Sequence, residues 1–358
     1  MEPTRNTRAL PWGEISYLEW MPETALQFPP IVLLHGAGLD SASLSWSKLG
    51  DELSNRGYPV IAPDHPGYGH SAPAPWRSTQ ERLVLYVGEF LQAMELDEYV
   101  LGGLSMGGGM TIGHLLTQPS GAVGAMLFGS YGLSRFQFDG RLRRPLHSLT
   151  WATVHSGLMV PLMKLYQRRR SWLKASLDSL LHNPEERTEE LLEEVLWEAQ
   201  NSSGFDVFGQ WQRDQFRRLG LRSDYSDRLS ELRIPTLVVH GMATPASRSL
   251  RCAAPPSASR TPRWSWSRMP VTGCSATARR SSIPLSSSFS SGWAELSERR
   301  SRSRARRPGC SSQQSTSARP RVTTYPVIPP HLHRCARGDR AHRAGYAAAA
   351  PIRPYSRR

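Results

Sequence analysis

The sequence predicts an α/β protein, in which a mostly parallel sheet carries helices on both faces, receives an inserted helical cap and is truncated at its C-terminal end. Short apolar runs such as Ile31–Leu34 alternate with segments that repeat apolar residues at helical spacing, as strands joined by helical crossovers do. The alternation stops near residue 134, and helical spacing alone continues to residue 229 before an apolar run returns. We therefore expect a core in residues 1–133, a cap in 134–229, a return strand of the core in 230–242 and a separate tail in 243–358.

The predicted strands of the core are short apolar segments. Residues 9–21 indicate an early hairpin, because Pro11 and Gly13 interrupt their pattern. Continuous aliphatic runs are typical of parallel strands that are buried on both faces. Such runs cover residues 31–34, 60–64, 99–102, 123–128 and 235–241.

The predicted helices of the core lie between these strands. Residues 43–56 collect their apolar side chains on one face and end at Gly57, a residue that commonly terminates helices. Residues 78–96 repeat the same spacing. A third helix is expected to follow the glycine-rich turn after residue 102 and to end near residue 116.

The segment Gly103-Leu104-Ser105-Met106-Gly107 lies between an apolar run and a run of small residues, which predicts a strand, a very tight turn and a helix. Glycines on both sides let the strand and the helix approach closely and hold Ser105 on a strained, exposed corner. A hydroxyl there can attack a carbonyl carbon when a base accepts its proton. Ser105 is therefore the predicted nucleophile.

The predicted cap is rich in tryptophan and carries basic clusters, among them Arg168-Arg169-Arg170. Two interpretations of this cluster stay open at this point. It is either a solvated helix face, which we favour because charged residues on surface helices usually face water, or a contribution to substrate binding.

Charge divides the chain near residue 242. Residues 1–242 contain 22 Lys and Arg against 27 Asp and Glu, whereas residues 243–358 contain 22 Arg, no Lys and three acidic residues. The net charges are −5 and +19, so the basic character of the whole chain belongs to its second part. All four cysteines lie there as well, and Ser, Arg, Pro and Ala dominate without periodicity, which predicts a disordered tail.

The sequence predicts a cytoplasmic protein. No apolar stretch follows the first residues as in a signal peptide, and no apolar run approaches the ~20 residues that span a bilayer. Four cysteines without a secretory signal indicate no disulfide framework. The tail contains no recognised nucleic-acid-binding motif, so we expect no specific nucleic-acid partner.

Four segments together resemble the α/β-hydrolase fold family. They are His35-Gly36-Ala37-Gly38, Asp64–Ser71, the turn around Ser105, and Val238–Gly241, each at the end of a predicted strand and in the order of the family. The resemblance covers about residues 10–242. It implies a serine hydrolase of the carboxylesterase or lipase type, which needs neither a cofactor nor a metal and acts on a small-molecule acyl substrate.

The resemblance also implies roles for single residues. Ser105 attacks the acyl carbon, and the backbone N–H groups of Ala37 and Met106 form the oxyanion hole. Asp64 corresponds to loop architecture and His240 to a structural histidine of the family. Two further histidines, at positions 65 and 70, are interpreted as hydrogen-bonding residues of a loop near the mouth of the site.

The sequence departs from the family's pattern after Gly241. The family has an acid shortly after this strand and a histidine after a later one, in the order Ser, Asp, His. Here Gly241 is followed by Met-Ala-Thr-Pro-Ala-Ser, and the later histidines are residues 331, 333 and 342 in the tail. Asp139 is an alternative acid, but it lies far along the chain and no base accompanies it.

A change of reading frame after Met242 accounts for this departure. In codons made from the last base of one residue and the first two of the next, Ala243/Thr244 allows Asp, and the following pairs allow Pro-Arg-Val-Pro. Arg263–Ser267 then yields four Val-type codons, as in a strand, and Met269–Cys274 allows Ala-Gly-His-Trp-Val. We therefore predict that the acid and the base lie in the other frame and that the chain as written has little activity.

Two function classes stay open. The first is hydrolysis of a carboxylic ester or a related acyl substrate, and the second is non-catalytic ligand binding on the same fold. A serine nucleophile argues against haloalkane dehalogenases and epoxide hydrolases, which typically use Asp at this corner. It does not separate esterase, lipase, thioesterase, amidase and C–C hydrolase, and the oligomeric state also stays open.

Overall fold

The computed structural model describes residues 2–24, 26–138, 140–181 and 183–241, together with the backbone of residues 264–269. Within these residues, eight strands form one sheet and two short strands form another. The strands of the main sheet are β1 (Thr4–Leu10), β2 (Gly13–Trp20), β3 (Ile31–Leu34), β4 (Val60–Pro63), β5 (Tyr99–Leu104), β6 (Ala122–Phe128), β9 (Thr236–Gly241) and β10 (Trp264–Met269). The small sheet pairs β7 (Phe216–Arg217) with β8 (Gly220–Leu221).

Eight α-helices lie in the described part of the chain. They are α1 (Ala42–Ser54), α2 (Gln80–Ala93), α3 (Met106–Thr117), α4 (Arg143–His155), α5 (Met159–Gln167), α6 (Arg170–Leu180), α7 (Glu189–Asn201) and α8 (Gly204–Gln215). The Ser41 hydroxyl accepts from the N–H of Leu44 and fixes the start of α1, one residue before the predicted position. No helix in this part of the chain is long and apolar enough to cross a membrane.

The order of strands across the main sheet is β1-β2-β4-β3-β5-β6-β9-β10. The β1–β2 hairpin and the β2–β4 pair are antiparallel, and all other neighbours are parallel, which confirms the predicted fold class. The chain runs from β3 outward to β4 and returns to β5 on the other side of β3. Such a reversal opens a crevice at the carboxyl ends of the two strands, where open α/β sheets bind ligands.

Strand β3 explains why the central strands appear as continuous apolar runs. Ile31 and Leu33 pack in one cluster with Trp46 of α1, whereas Val32 and Leu34 pack in another with residues of α2 and α3. Successive side chains of a strand point to opposite faces. Because helices cover both faces, every position of β3 is buried and apolar.

The helices α4–α8 occupy the chain between β6 and β9, where the sequence predicts the cap. The indole N–H of Trp211 in α8 donates to the Gln80 side chain at 2.8 Å, and Asp214 accepts from the Gln80 backbone N–H at 3.0 Å. An ion pair joins Lys48 of α1 to Glu186, which precedes α7. The inserted helices are therefore attached to both helical layers of the core.

One strand lies in the segment for which the sequence predicted no regular structure. Strand β10 pairs with β9 in parallel, with Trp264 opposite Thr236 and Met269 opposite Gly241. Its sequence, Trp-Ser-Trp-Ser-Arg-Met, alternates with the period of two that suits a strand. Residues 242–263 and 270–358, the rest of the predicted tail, lie outside the described residues.

Candidate active site

Ser105 lies at the junction of β5 and α3, the corner predicted from the sequence. Its backbone angles are φ +49° and ψ −110°, a conformation that L-residues rarely adopt. The Ser105 N–H donates to the carbonyl of Phe128 at 2.9 Å, and the Ser105 carbonyl accepts from the N–H groups of Gly109 and Tyr131 at 3.1 and 2.8 Å. These hydrogen bonds hold the strained turn, which leaves Ser105 exposed.

The glycines around Ser105 are required by the close approach of α3 to two strands. A Cβ atom on Gly107 would lie 2.3 Å from the carbonyl oxygen of Leu34 and 2.5 Å from that of His35. A Cβ atom on Gly103 would lie 2.3 Å from the backbone of Gly107. Any side chain at either position would collide with backbone atoms, which cannot rotate away.

The loop after β3 lies beside Ser105. Leu34 pairs with Gly103 across β3 and β5, and a Cβ atom on Gly36 would lie 3.7 Å from Cβ of Ser105. Ala37 is the next residue of this loop. Met106 is the first residue of α3, so its N–H has no acceptor within the helix. The two predicted oxyanion donors thus belong to the two segments that adjoin Ser105.

Asp40 organises the loop after β3, and the sequence analysis did not single it out. Its carboxylate accepts from the N–H groups of Gly36 and Ser41 at 2.7 and 2.9 Å and from the Ser45 hydroxyl at 2.8 Å. Burial raises the pKa of Asp40 to about 6 in spite of these donors. The signal that indicates such a role is the Asp-Ser pair directly before α1, because both residue types bond backbone N–H groups at helix starts.

Two buried histidines support the same loop. The backbone N–H of His65 donates to Nε2 of His35 at 2.9 Å, so the proton of the neutral His35 ring is on Nδ1, which donates to the Gly36 carbonyl. Burial lowers the pKa of His35 to about 3 and that of His65 well below its usual range. His65 is therefore an interior residue rather than one at the mouth of the site, whereas His70 stacks on Trp197 with ring centroids 4.4 Å apart.

Asp64 joins three parts of the core, in agreement with its interpretation as loop architecture. It is fully buried, pairs with Arg5 of β1 at 2.6 Å and accepts from the N–H groups of Ala42 and His70 at 2.9 and 3.1 Å. Its carboxylate oxygens accept hydrogen bonds from the start of α1 and from its own loop. Asp64 therefore serves the architecture around the site rather than the Ser105 hydroxyl.

Glu198 connects the inserted helices to the loop after β4, a contact that the sequence analysis did not predict. This residue of α7 is buried, and its carboxylate accepts from the N–H of Gly69 at 3.1 Å. Burial, with smaller contributions from the charges of Asp64 and Asp40, raises the pKa of Glu198 to about 7. No periodic pattern reveals this contact, because the two residues are 129 positions apart in the chain.

The site presents an exposed hydroxyl at the start of a helix, where the helix dipole favours developing negative charge. Among the described residues, no imidazole or carboxylate hydrogen-bonds to the Ser105 hydroxyl. His240 lies in β9, and the predicted alternative acid Asp139 lies outside the described residues. Strands β5, β6, β9 and β10 are parallel, and Gly241 at the end of β9 pairs with Met269 at the end of β10. The carboxyl ends of β9 and β10 therefore lie on the same side of the sheet as Ser105, which follows β5.

Replacing Ser105 by glycine is expected to stabilise the protein relative to replacing it by alanine. Glycine adopts positive φ freely, whereas alanine keeps the strained Cβ. The Ser105 side chain makes no cap hydrogen bond, so neither change loses one. Backbone strain of this kind costs on the order of 1–3 kcal/mol, and we expect Ser105→Gly to exceed Ser105→Ala by ~1 kcal/mol after the entropy of the unfolded glycine is subtracted. Urea unfolding of both variants tests this, and equal stabilities would show that the turn is unstrained.

Stability is expected to fall as the pH rises from about 4.5 to about 7 because of Glu198. The pKa of this carboxyl is higher in the folded than in the unfolded chain, so the folded state binds the additional proton. The contribution is therefore present at low pH and is lost between the unfolded value of about 4.5 and about 7. In Glu198→Gln, the loss of unfolding free energy over this pH range should be smaller by ~1–3 kcal/mol. The part of the loss that arises from Asp40 should remain. Denaturant titrations at pH 5 and 8 measure the effect, with Glu194→Gln in the same helix as the control; identical slopes in both variants would contradict it.

Comparisons with known proteins support the fold. Residues 29–126 match the model of a family described as alpha/beta hydrolase fold. Protein ABHD14A of Rattus norvegicus is 33% identical over 106 residues, which are 29% of this chain and 43% of the relative. The 2-hydroxy-6-oxo-2,4-heptadienoate hydrolase of Pseudomonas putida is 34% identical over 113 residues, which are 31% of this chain and 41% of that protein.

A solved structure extends the likeness beyond the matched segment. The serine hydrolase CarC, involved in carbazole degradation, superposes with a TM-score of 0.57 at 19% identity and covers 82% of this chain and 98% of its own. This likeness concerns the fold alone. The described part of the chain therefore has the α/β-hydrolase fold, and residues 29–126 match the model of that family. It spans about two fifths of the length of the curated relatives that it matches.

Proposed function

We propose that this chain is a hydrolase of carboxylic esters or related acyl compounds and that Ser105 is its nucleophile. The observation that carries the proposal is the backbone of Ser105, φ +49° at the end of β5, with the hydroxyl exposed and the start of α3 beneath it. Strain at a polar residue is retained where the fold over-determines it, typically at functional sites. A purely structural turn in this position would favour glycine.

The reaction that this geometry supports proceeds through a covalent acyl-enzyme. The Ser105 oxygen attacks the carbonyl carbon while its proton passes to a base, and the N–H groups of Ala37 and Met106 donate to the oxyanion. Collapse of the tetrahedral species expels the alcohol, which takes up the proton from the base. Water then releases the acid by the same route.

We further propose that the base and its acid partner belong to the other reading frame after Met242. Strand β10 supports this, because it lies where the shifted codons also predict a strand. In the shifted frame the acid follows the end of β9, and the histidine follows the end of β10. Because β9 and β10 run parallel to β5, both residues would follow the carboxyl ends of their strands, on the side of the sheet where Ser105 lies.

Hydrolysis of p-nitrophenyl esters tests the role of Ser105 in the chain as written. We expect slow turnover that Ser105→Ala removes and that Ser130→Ala, a buried serine near α3, retains. A panel that includes a 2-hydroxy-6-oxo-dienoate addresses the substrate class suggested by the names of two relatives. Activity that is equal in wild type and Ser105→Ala would refute the proposed nucleophile.

The alternative is a non-catalytic binding protein on this fold. It predicts saturable binding of an acyl compound, measured by calorimetry, without turnover and without a covalent adduct on the peptide that contains Ser105. Mass spectrometry after incubation of the chain with its reading frame restored after Met242 with a fluorophosphonate separates the two classes. An adduct on Ser105 supports the hydrolase, and binding without any adduct supports the alternative.

A further inference from the structure

Helix α5 presents an apolar face to solvent. Leu158, Leu162 and Leu165 follow each other at spacings of four and three residues, which aligns them on one side of the helix. Their exposed fractions are 63%, 59% and 48%, and no residue of α5 is buried. Half-buried Met163 and Tyr166 occupy other positions of the helix. The exposed leucines therefore form an apolar strip rather than scattered single residues.

An exposed tryptophan and two arginines follow this strip along the chain. The Tyr166 hydroxyl donates to the carbonyl of Trp172 at 3.3 Å, which holds the first turn of α6 against the end of α5. Trp172 is 48% exposed, and Arg168 and Arg169 lie in the connection between the two helices. We call the set Leu158, Leu162, Leu165, Arg168, Arg169 and Trp172 the α5–α6 surface.

The segment that carries the α5–α6 surface is basic, although Lys164 of α5 is paired with Asp206 of α8. Residues 141–174 contain eight Lys and Arg and no Asp or Glu, whereas the rest of residues 1–242 contains 14 basic and 27 acidic residues. Arg170 is paired with Glu189 and Glu193 of α7. None of the ion pairs among the described residues involves Arg168 or Arg169. These two guanidinium groups are thus available to an anionic partner.

The combination of an apolar strip, a tryptophan and unpaired arginines suits one kind of partner. Leucine side chains enter the boundary between lipid headgroups and acyl chains, tryptophan rests at that boundary, and arginine binds anionic headgroups. A second copy of the chain would bring two positive surfaces together, which repel each other. A polyanion such as RNA would use the arginines but leave the leucines exposed to water.

We propose that the α5–α6 surface binds peripherally to the anionic face of a lipid bilayer. The contact buries the leucine strip and Trp172 at the headgroup boundary and brings Arg168 and Arg169 to lipid phosphates. It goes beyond the proposed hydrolase function and does not depend on Ser105. It assigns a partner to Arg168 and Arg169, which are exposed, as the interpretation of the basic cluster as a solvated face expects.

Hydrogen exchange on vesicles tests this proposal in the full-length chain. With phosphatidylglycerol-containing vesicles, we expect slower amide exchange in residues 158–174, and no such change with pure phosphatidylcholine. Local exchange is the appropriate measurement, because the arginines of residues 243–358 are able to attract anionic vesicles by themselves. Protection that is absent from 158–174 while the protein sediments with the vesicles would overturn the proposal.

Two variants separate the lipid contact from other partners. Arg168→Gln/Arg169→Gln should raise the anionic-lipid concentration that half-protects residues 158–174 roughly 20-fold or more, since each such charge contributes ~1 kcal/mol at an anionic surface. Leu162→Ser/Trp172→Ser should abolish protection of residues 158–174. Arg82→Gln and Leu85→Ser, at exposed positions of α2, serve as matched controls.

Two outcomes would indicate a different partner and refute the proposal. Protection that depends on protein concentration without vesicles would indicate a second copy of the chain. Protection by RNA that survives Leu162→Ser/Trp172→Ser would indicate a nucleic acid.

Discussion

Insertion of one base into the codon of Met242 is expected to raise the rate of ester hydrolysis at least about 10³-fold. The insertion shifts translation into the reading frame that allows Asp after β9 and His after β10. Removing the base of a catalytic triad typically costs far more than this factor and leaves only the contribution of the oxyanion hole and of binding. Initial rates with p-nitrophenyl butyrate for the chain as written and for the frame-restored chain measure the gain.

The frame-restored chain also allows a matched control. Ser105→Ala in that background should remove the whole gain and bring the rate to or below that of the chain as written, because the restored base acts through the Ser105 hydroxyl. Circular dichroism establishes that each protein is folded before the rates are compared. A folded, frame-restored chain with an unchanged rate would contradict the assignment of the acid and the base to the other frame.

Replacing Gly107 by alanine is expected to lower the free energy of unfolding by about 3 kcal/mol, at the upper end of the cost of overpacking. The added Cβ would lie 2.3 Å from the Leu34 carbonyl and 2.5 Å from the His35 carbonyl. Relief requires α3 to move away from β3, which also displaces Ser105 from the loop that carries Ala37. We therefore expect lower activity together with lower stability.

Gly109→Ala in the same helix is the matched control for Gly107→Ala. The Cβ of this variant would lie 3.3 Å from the Tyr131 carbonyl, a contact that small shifts relieve. Alanine also has the higher helix propensity, by ~1 kcal/mol. Thermal and urea unfolding should thus separate the two variants by several kcal/mol of unfolding free energy. Equal stabilities would mean that the approach of α3 to β3 is looser than described.

Local patterns in the sequence predicted those parts of the fold that local physics determines. The apolar run Ile31–Leu34 indicated a strand because helices cover both of its faces. The glycines at 103 and 107 indicated the tight turn because their missing Cβ atoms are what permits it. Helix α1 was predicted within two residues at each end, since its apolar spacing and Ser41 cap are both local signals.

Contacts between distant segments escaped prediction. Glu198 holds the loop after β4, but its partner Gly69 lies 129 positions away and is fixed only by the folded arrangement. Asp40 is different, because it bonds Gly36, Ser41 and Ser45 and was missed although the Asp-Ser pair before α1 is a local signal. His65 appeared as a loop residue from its neighbours in sequence, and only the packing against His35 reveals it as buried. Strand β10 was missed because the composition of its surroundings outweighed the short alternating pattern of Trp264–Met269.

The roles of Ala37 and Met106 as oxyanion donors, the domain boundaries and the cytoplasmic location remain predictions. Replacing the oxygen-binding N–H groups individually is difficult by ordinary mutagenesis, because every residue except proline carries one. The frame-restored chain offers an indirect route. A transition-state analogue such as a boronic acid should bind to it far more tightly than the corresponding substrate.

The nucleotide sequence of the gene across codons 241–285 shows whether one base has been lost there. We propose that the fold supplies Ser105 and its oxyanion donors, whereas the acid and the base are encoded in the frame that is shifted by one base. We expect one added base at codon 242 to yield a single open frame, with Asp-Pro after Gly241 and Gly-His-Trp after the strand that follows. A stop codon in that frame, or residues other than a carboxylate and an imidazole at those two positions, would contradict it.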